Sequence, residues 1–131
     1  RANRIVAGKS IDEWARANHQ MMDALNYSDI TDTYRVRVEA RANLAQIRMA
    51  SGDIEMALEH ATDALAVATR HGLSLRKITL RILIGSILIR RGDPMSGRAL
   101  IEAGKAAAVR VGYQRATALA QAALMTKGRS A

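Results

Sequence analysis

Leu44-Ala45-Gln46-Ile47-Arg48-Met49-Ala50-Ser51-Gly52-Asp53-Ile54-Glu55-Met56-Ala57-Leu58-Glu59-His60-Ala61-Thr62-Asp63-Ala64 is the stretch that decides the fold. Gly52-Asp53 interrupts two apolar patterns. On its C-terminal side Ile54, Ala57, Leu58, Ala61, Leu65 and Ala68 recur at three- and four-residue spacing, the period of a helix face. On its N-terminal side Val36, Val38, Ala40, Leu44, Ala45, Ile47 and Met49 supply the apolar residues of another helix. Gly tolerates the left-handed conformation that ends a helix. Asp suits the cap of the next one.

The same landmarks return forty residues later. Gly52-Asp53 becomes Gly92-Asp93, Gly72-Leu73 becomes Gly112-Tyr113, and Leu44-Ala45 becomes Ile84-Gly85. Ala61 aligns with Ile101 and Ala64 with Gly104. Pro94 falls at a first helical position, where its missing N–H costs nothing. This periodicity predicts helices over 11–26, 32–50, 54–71, 74–91, 94–111 and 113–126. The turns at Gly52 and Gly92 are short enough to force antiparallel neighbours. Asn26–Asp32 reads as a longer polar joint, and the helix around Trp14, Met21 and Leu25 as the second half of a preceding hairpin.

Bulk composition agrees. The 131 residues suit a single domain, 1–131, with hairpin units near 32–71 and 74–111 and flanking helices 11–26 and 113–126. The hydrophobic fraction is 49%, yet aromatics are 3% and Phe is absent, so the core is Ala, Leu, Ile and Val, which lets helix axes approach closely. With no Cys, disulfides and thiolate chemistry are excluded. No apolar run reaches the ~18–20 residues of a membrane span. The expected setting is cytoplasmic, and a start at Arg1 rather than Met reads as a fragment of a longer chain. The net charge of +8 is unevenly placed: residues 1–64 carry eight Lys/Arg against ten Asp/Glu, whereas 65–131 carry twelve against two. That asymmetry suits an acidic partner, head-to-tail contact between copies, or simply solvated faces.

The string Leu44-Ala45, Gly52-Asp53-Ile54, Ala57, Ala61, Ala64 resembles the tetratricopeptide repeat. Ile84-Gly85, Gly92-Asp93, Gly97, Ile101 and Gly104 match it with still smaller residues. The match covers about 34–126. Small residues are needed where two helices cross closely. The family's usual period is about 34 residues. The longer one here resembles the MalT-like arrays of large bacterial signalling proteins, in which the array binds or senses and other domains act. The resemblance implies an all-α, right-handed superhelical stack of antiparallel helix hairpins, about six helices. It implies protein–protein interaction, to which the charge asymmetry and the apolar 78–89 stretch add the expectation of self-association.

Carried over by position, the first helix of each hairpin would line a protein-binding groove. One unit presents Glu39, Ala42, Asn43, Gln46 and Met49; the next presents Thr79, Ile82, Leu83, Ser86 and Ile89; the last helix adds Leu119, Ala122 and Thr126. The Lys and Asn that hold a peptide carboxylate in chaperone-binding members are mostly absent at the matching places. Ile78–Ile89 is apolar almost all round. Either its neighbours cover it on several sides, or Ile82, Ser86 and Ile89 face a groove that a partner helix, a second copy or further repeats would fill. A basic ladder runs through Arg70, Arg76, Lys77, Arg81, Arg90, Arg91, Arg98, Arg110 and Arg115. Such residues oppose the helix dipole in a last turn, and Arg76, Lys77, Arg81, Arg90 and Arg91 are the candidate contacts for an acidic partner.

Chemistry-bearing patterns are thin. His19, His60 and His71 are isolated and read as solvated or helix-end residues. Gly92–Ala99 and Gly8-Lys9-Ser10 only superficially resemble phosphate loops, lacking the Lys-Ser/Thr ending and the first Gly respectively. Asp12-Glu13 and Glu55/Glu59 read as surface carboxylates. No nucleophile, base and oxyanion set can be assembled, so the expectation is a non-enzyme without metal or cofactor. Nucleic-acid binding is the alternative that net charge raises; against it, Tyr113 is the only aromatic in the basic half. A small-effector-sensing array is the further alternative.

Overall fold

The structure, a computed structural model, describes residues 16–20, 22–23 and 33–126. Every element among them is helical. Residues 16–20 and 22–23 are helix, followed by α1 (Tyr34–Ala50), α2 (Ile54–Arg70), α3 (Ser74–Arg91), α4 (Pro94–Val111) and α5 (Gln114–Thr126). These bounds lie within two residues of those the periodicity predicts for the five helices. The expectations for Trp14, Met21, Leu25, the Asn26–Asp32 joint, Gly8-Lys9-Ser10 and Asp12-Glu13 fall outside the described residues. The chain divides into two compact units, Arg1–Val67 and Ala68–Ala131.

All four turns between these helices have one design. Gly52, Gly72, Gly92 and Gly112 stand twenty residues apart with positive φ. After each of them the next residue's N–H returns to a carbonyl five residues back: Asp53 to Arg48 (2.9 Å), Leu73 to Ala68 (2.9 Å), Asp93 to Leu88 (2.8 Å) and Tyr113 to Ala108 (2.8 Å). The glycine N–H closes the inner bond to a carbonyl three residues back. This is the Schellman arrangement, which satisfies carbonyls that a helix end otherwise leaves orphaned. On the far side of the turn the two expected Asp caps differ. The Met56 N–H donates to Asp53 Oδ1 at 3.3 Å, so Asp53 caps α2. Asp93 makes no such bond, and Arg91 Nε donates to its Oδ2 at 2.9 Å.

In the first unit Val38, Ala40, Leu44 and Ala45 of α1 and Ala57, Ala61 and Ala64 of α2 are buried. Burial of a Leu or Val side chain contributes roughly 1.5–3 kcal/mol. The second unit gathers Ile78, Ile82, Ile101, Ala108, Ala116 and Ala120 into a core, with Ile89, Ala107, Tyr113, Ala123 and Leu124 against it. There α3 and α4 run antiparallel at very close approach. A Cβ at Gly97 would lie 2.5 Å from the Gly85 carbonyl oxygen and 2.7 Å from Ile89 Cγ1. A Cβ at Gly85 would lie 2.6 Å from the Gly97 oxygen, and one at Gly104 2.8 Å from Ile82 Cγ1. The small positions of the repeat are therefore steric requirements in this unit.

Candidate interaction surface

Within the first unit the α1–α2 seam is charged. Arg37, Arg41 and Arg48 lie along α1, and α2 answers with Asp63, His60 and Asp53 in reverse order, as antiparallel helices require. Arg41 Nε is 2.6 Å from Asp63 Oδ2, Arg37 Nη2 is 3.7 Å from Asp63 Oδ1, and Arg48 Nη1 is 3.9 Å from Asp53 Oδ2. Arg41 Nη1 also donates to His60 Nδ1 at 3.4 Å. His60 is buried, which corrects the expectation of a solvated or helix-end residue. Burial first, then the positive charges of Arg41 and Arg48, hold its pKa below the ordinary 6.5; Glu59 and Asp63 act in the opposite sense. An imidazole that accepts from a guanidinium is neutral, so geometry and electrostatics agree. Repeat register carried the missed signal: the residue forty places on from His60 is Leu100. His19 is exposed and 3.5 Å from Asp23, and His71 is exposed at a turn.

Of the groove positions on α1, Glu39, Asn43 and Gln46 are exposed and Ala42 and Met49 half-buried. Their spacing places all five on one face. On α3 the outcome is mixed. Thr79, Leu83, Ser86 and Ile89 are half-buried. Thr79 Oγ1 donates to the Arg76 carbonyl and Ser86 Oγ to the Ile82 carbonyl, so both hydroxyls already serve their own helix. Ile82 is buried in the core beside Gly104 and Ile89 packs against that core, so the open-groove reading is corrected for Ile82. Six residues of the 78–89 stretch are buried in all, namely Ile78, Leu80, Ile82, Ile84, Gly85 and Ile87. On α5, Leu119 and Ala122 are exposed.

Among the candidate basic contacts, Arg76, Arg90 and Arg91 are exposed, whereas Lys77 and Arg81 are half-buried. Arg90 and Arg91 stand in the last turn of α3, where positive charge opposes the dipole. Gly92–Ala99, the superficial phosphate loop, forms the α3–α4 turn and the start of α4. Among the described residues there is no group of His, Asp and Glu that could hold a metal ion, and no helix long and apolar enough to cross a membrane.

The chain matches no family model, no curated protein and no solved structure. The second unit shows large apolar side chains among its cations. Met95 is 84% exposed and Met125 76%, and Val109, Val111 and Leu119 are exposed as well. The described acids of this unit are Asp93 and Glu102, and both are paired, with Arg91 and Arg98.

Proposed function

We propose that this chain is a protein-interaction and assembly module of the tetratricopeptide kind, self-associating and cytoplasmic, within a bacterial signalling or regulatory protein. What carries the reading is the surface of the second unit, where exposed Met95, Val109, Leu119 and Met125 share helices with unmatched positive charge. Large apolar side chains and cations exposed on the same helices are the materials of protein contact surfaces. The bacterial signalling context comes from the long-period repeat resemblance alone. A basic array for nucleic acid is the second reading, and net charge is what favours it.

Molar mass by light scattering during size-exclusion chromatography, at low and high salt, tests the proposal. A dimer or larger species is the expected result. Survival at high salt assigns the contact to the apolar residues, and dissociation assigns it to the charges. A monomer at both salts that binds no protein, yet binds one DNA sequence tightly, overturns it.

A further inference from the structure

Lys77 and Arg81 stand on α3 where Arg37 and Arg41 stand on α1, forty residues earlier. In the first hairpin Asp63 of α2 lies against both of those cations, at 3.7 and 2.6 Å. Forty residues on from Asp63 is Ala103, an exposed methyl. The register mates of Glu59 and His60 are Ala99 and Leu100, so that side of α4 carries neither an acid nor an acceptor. The single carboxylate of α4, Glu102, is an i,i+4 partner of Arg98 at 4.0 Å. Among the described residues neither Lys77 nor Arg81 has a carboxylate partner, and both are half-buried. The second hairpin thus keeps two of the first hairpin's three seam cations, with Leu88 in the place of Arg48, and lacks the counter-ion of those two.

We propose that Lys77 and Arg81 form a carboxylate-binding site, and that its occupant is an Asp or Glu side chain of an acidic protein segment. The carboxylate sits over Ala103, in the place that Asp63 fills in the first hairpin. The site rests on the protein-interaction reading and gives it an address. Three physical arguments support it. The stems of Lys77 and Arg81 are partly covered, which limits where their charged ends can reach. The planar guanidinium of Arg81 can bind a carboxylate through two parallel N–H bonds, with Lys77 as a point charge beside it. The methyls of Ala99 and Ala103 leave space over α4 for a peptide backbone to approach.

The full chain is titrated with hexaglutamate and, separately, with a single-stranded oligonucleotide of similar charge, followed by amide chemical shifts. Hexaglutamate is expected to shift Lys77, Arg81 and Ala103. Ala103→Asp supplies the missing carboxylate from within and is expected to weaken hexaglutamate binding about fivefold or more. Arg81→Gln gives the same loss without adding a charge at Ala103, and circular dichroism confirms that both variants stay helical. Undiminished binding to both variants, no binding by the parent chain, or tighter binding of the oligonucleotide at these residues overturns the site. A chain that self-associates yet ignores hexaglutamate overturns this site alone. A chain that neither self-associates nor binds protein overturns the functional reading beneath it.

Discussion

The hairpins α1–α2 and α3–α4 run through one sequence register and close their seams by different means. In the first, alanines Ala45, Ala57, Ala61 and Ala64 are buried, and a row of charges crosses between the helices at Arg41–Asp63 and Arg48–Asp53. In the second, Gly85, Gly97 and Gly104 bring the backbones together, Ile82, Ile89 and Ile101 fill the space around them, and Asp63 and His60 give way to Ala103 and Leu100. Three positions thus stay small in both hairpins, Ala45/Gly85, Ala57/Gly97 and Ala64/Gly104, although Ala61 gives way to Ile101, while the charged positions change. Close approach leaves no alternative to a small residue, whereas a charge at the seam's edge can be exchanged for a methyl whenever something else answers the cation.

The largest break in this comparison is Gly97→Ala, which gives the second hairpin the methyl that the first already carries at Ala57. With the Gly85 oxygen 2.5 Å from the new carbon, overpacking is expected to cost about 2–3 kcal/mol. The reverse exchange, Ala57→Gly, is expected to cost about 1–2 kcal/mol, from helix propensity and the loss of one buried methyl, with no clash. Urea denaturation of the two variants checks the pair, and equal losses would mean that the two crossings are equally close.

Gly92→Ala comes next. Its φ of 105° forces an L-residue into the left-handed region, while a Cβ there meets no other atom within 4 Å. Strain alone is left, about 1–2 kcal/mol, visible as a lower denaturation midpoint.

Acid sharpens the contrast. The neutral form of His60 is favoured in the fold, so as pH falls through 6.5 the unfolded chain takes up a proton that the folded chain refuses. Stability conferred by this residue is whole above that range and declines below it. His60→Leu, which copies the second hairpin, is expected to flatten the fall in denaturation midpoint between pH 7 and pH 5, roughly the window of histidine titration. An unchanged slope would remove His60 as its source.

The smallest expected effect is Asp63→Asn. Arg41 and Asp63 are each a quarter to a third exposed, and the pair is screened accordingly. The loss is expected to stay under ~1 kcal/mol and to shrink in salt, measured by thermal unfolding at two ionic strengths.

The helices were legible in the sequence because glycines at a fixed spacing mark each stop and the apolar residues between them keep one period. The close crossings were legible as well, since Gly85, Gly97 and Gly104 have no other reason to interrupt helices. Three features were hidden. Asp93 looks identical to Asp53 in sequence, but Arg91, two residues away, captures its carboxylate. Ile82 belongs to the core because Gly104 makes room for its side chain, a fact about the neighbouring helix rather than about α3. Arg37, Arg41 and Asp63 have the spacing of ordinary surface charges, and only the paired helices show that they share a seam. The exchange of Asp63 for Ala103 opposite Lys77 and Arg81 is legible in the forty-residue register.

The scarcity of aromatic rings has an optical consequence. Beyond residue 67 the chain holds one chromophore, Tyr113, and its ring rests against the core of the second unit. Trp14, Tyr27 and Tyr34 all precede residue 67 in the sequence. The tryptophan signal thus comes from the first part of the polypeptide alone, whereas the tyrosine signal mixes Tyr27 and Tyr34 with Tyr113. With Tyr27 and Tyr34 replaced by Leu, Tyr113 would report on the second unit by itself, without an attached label.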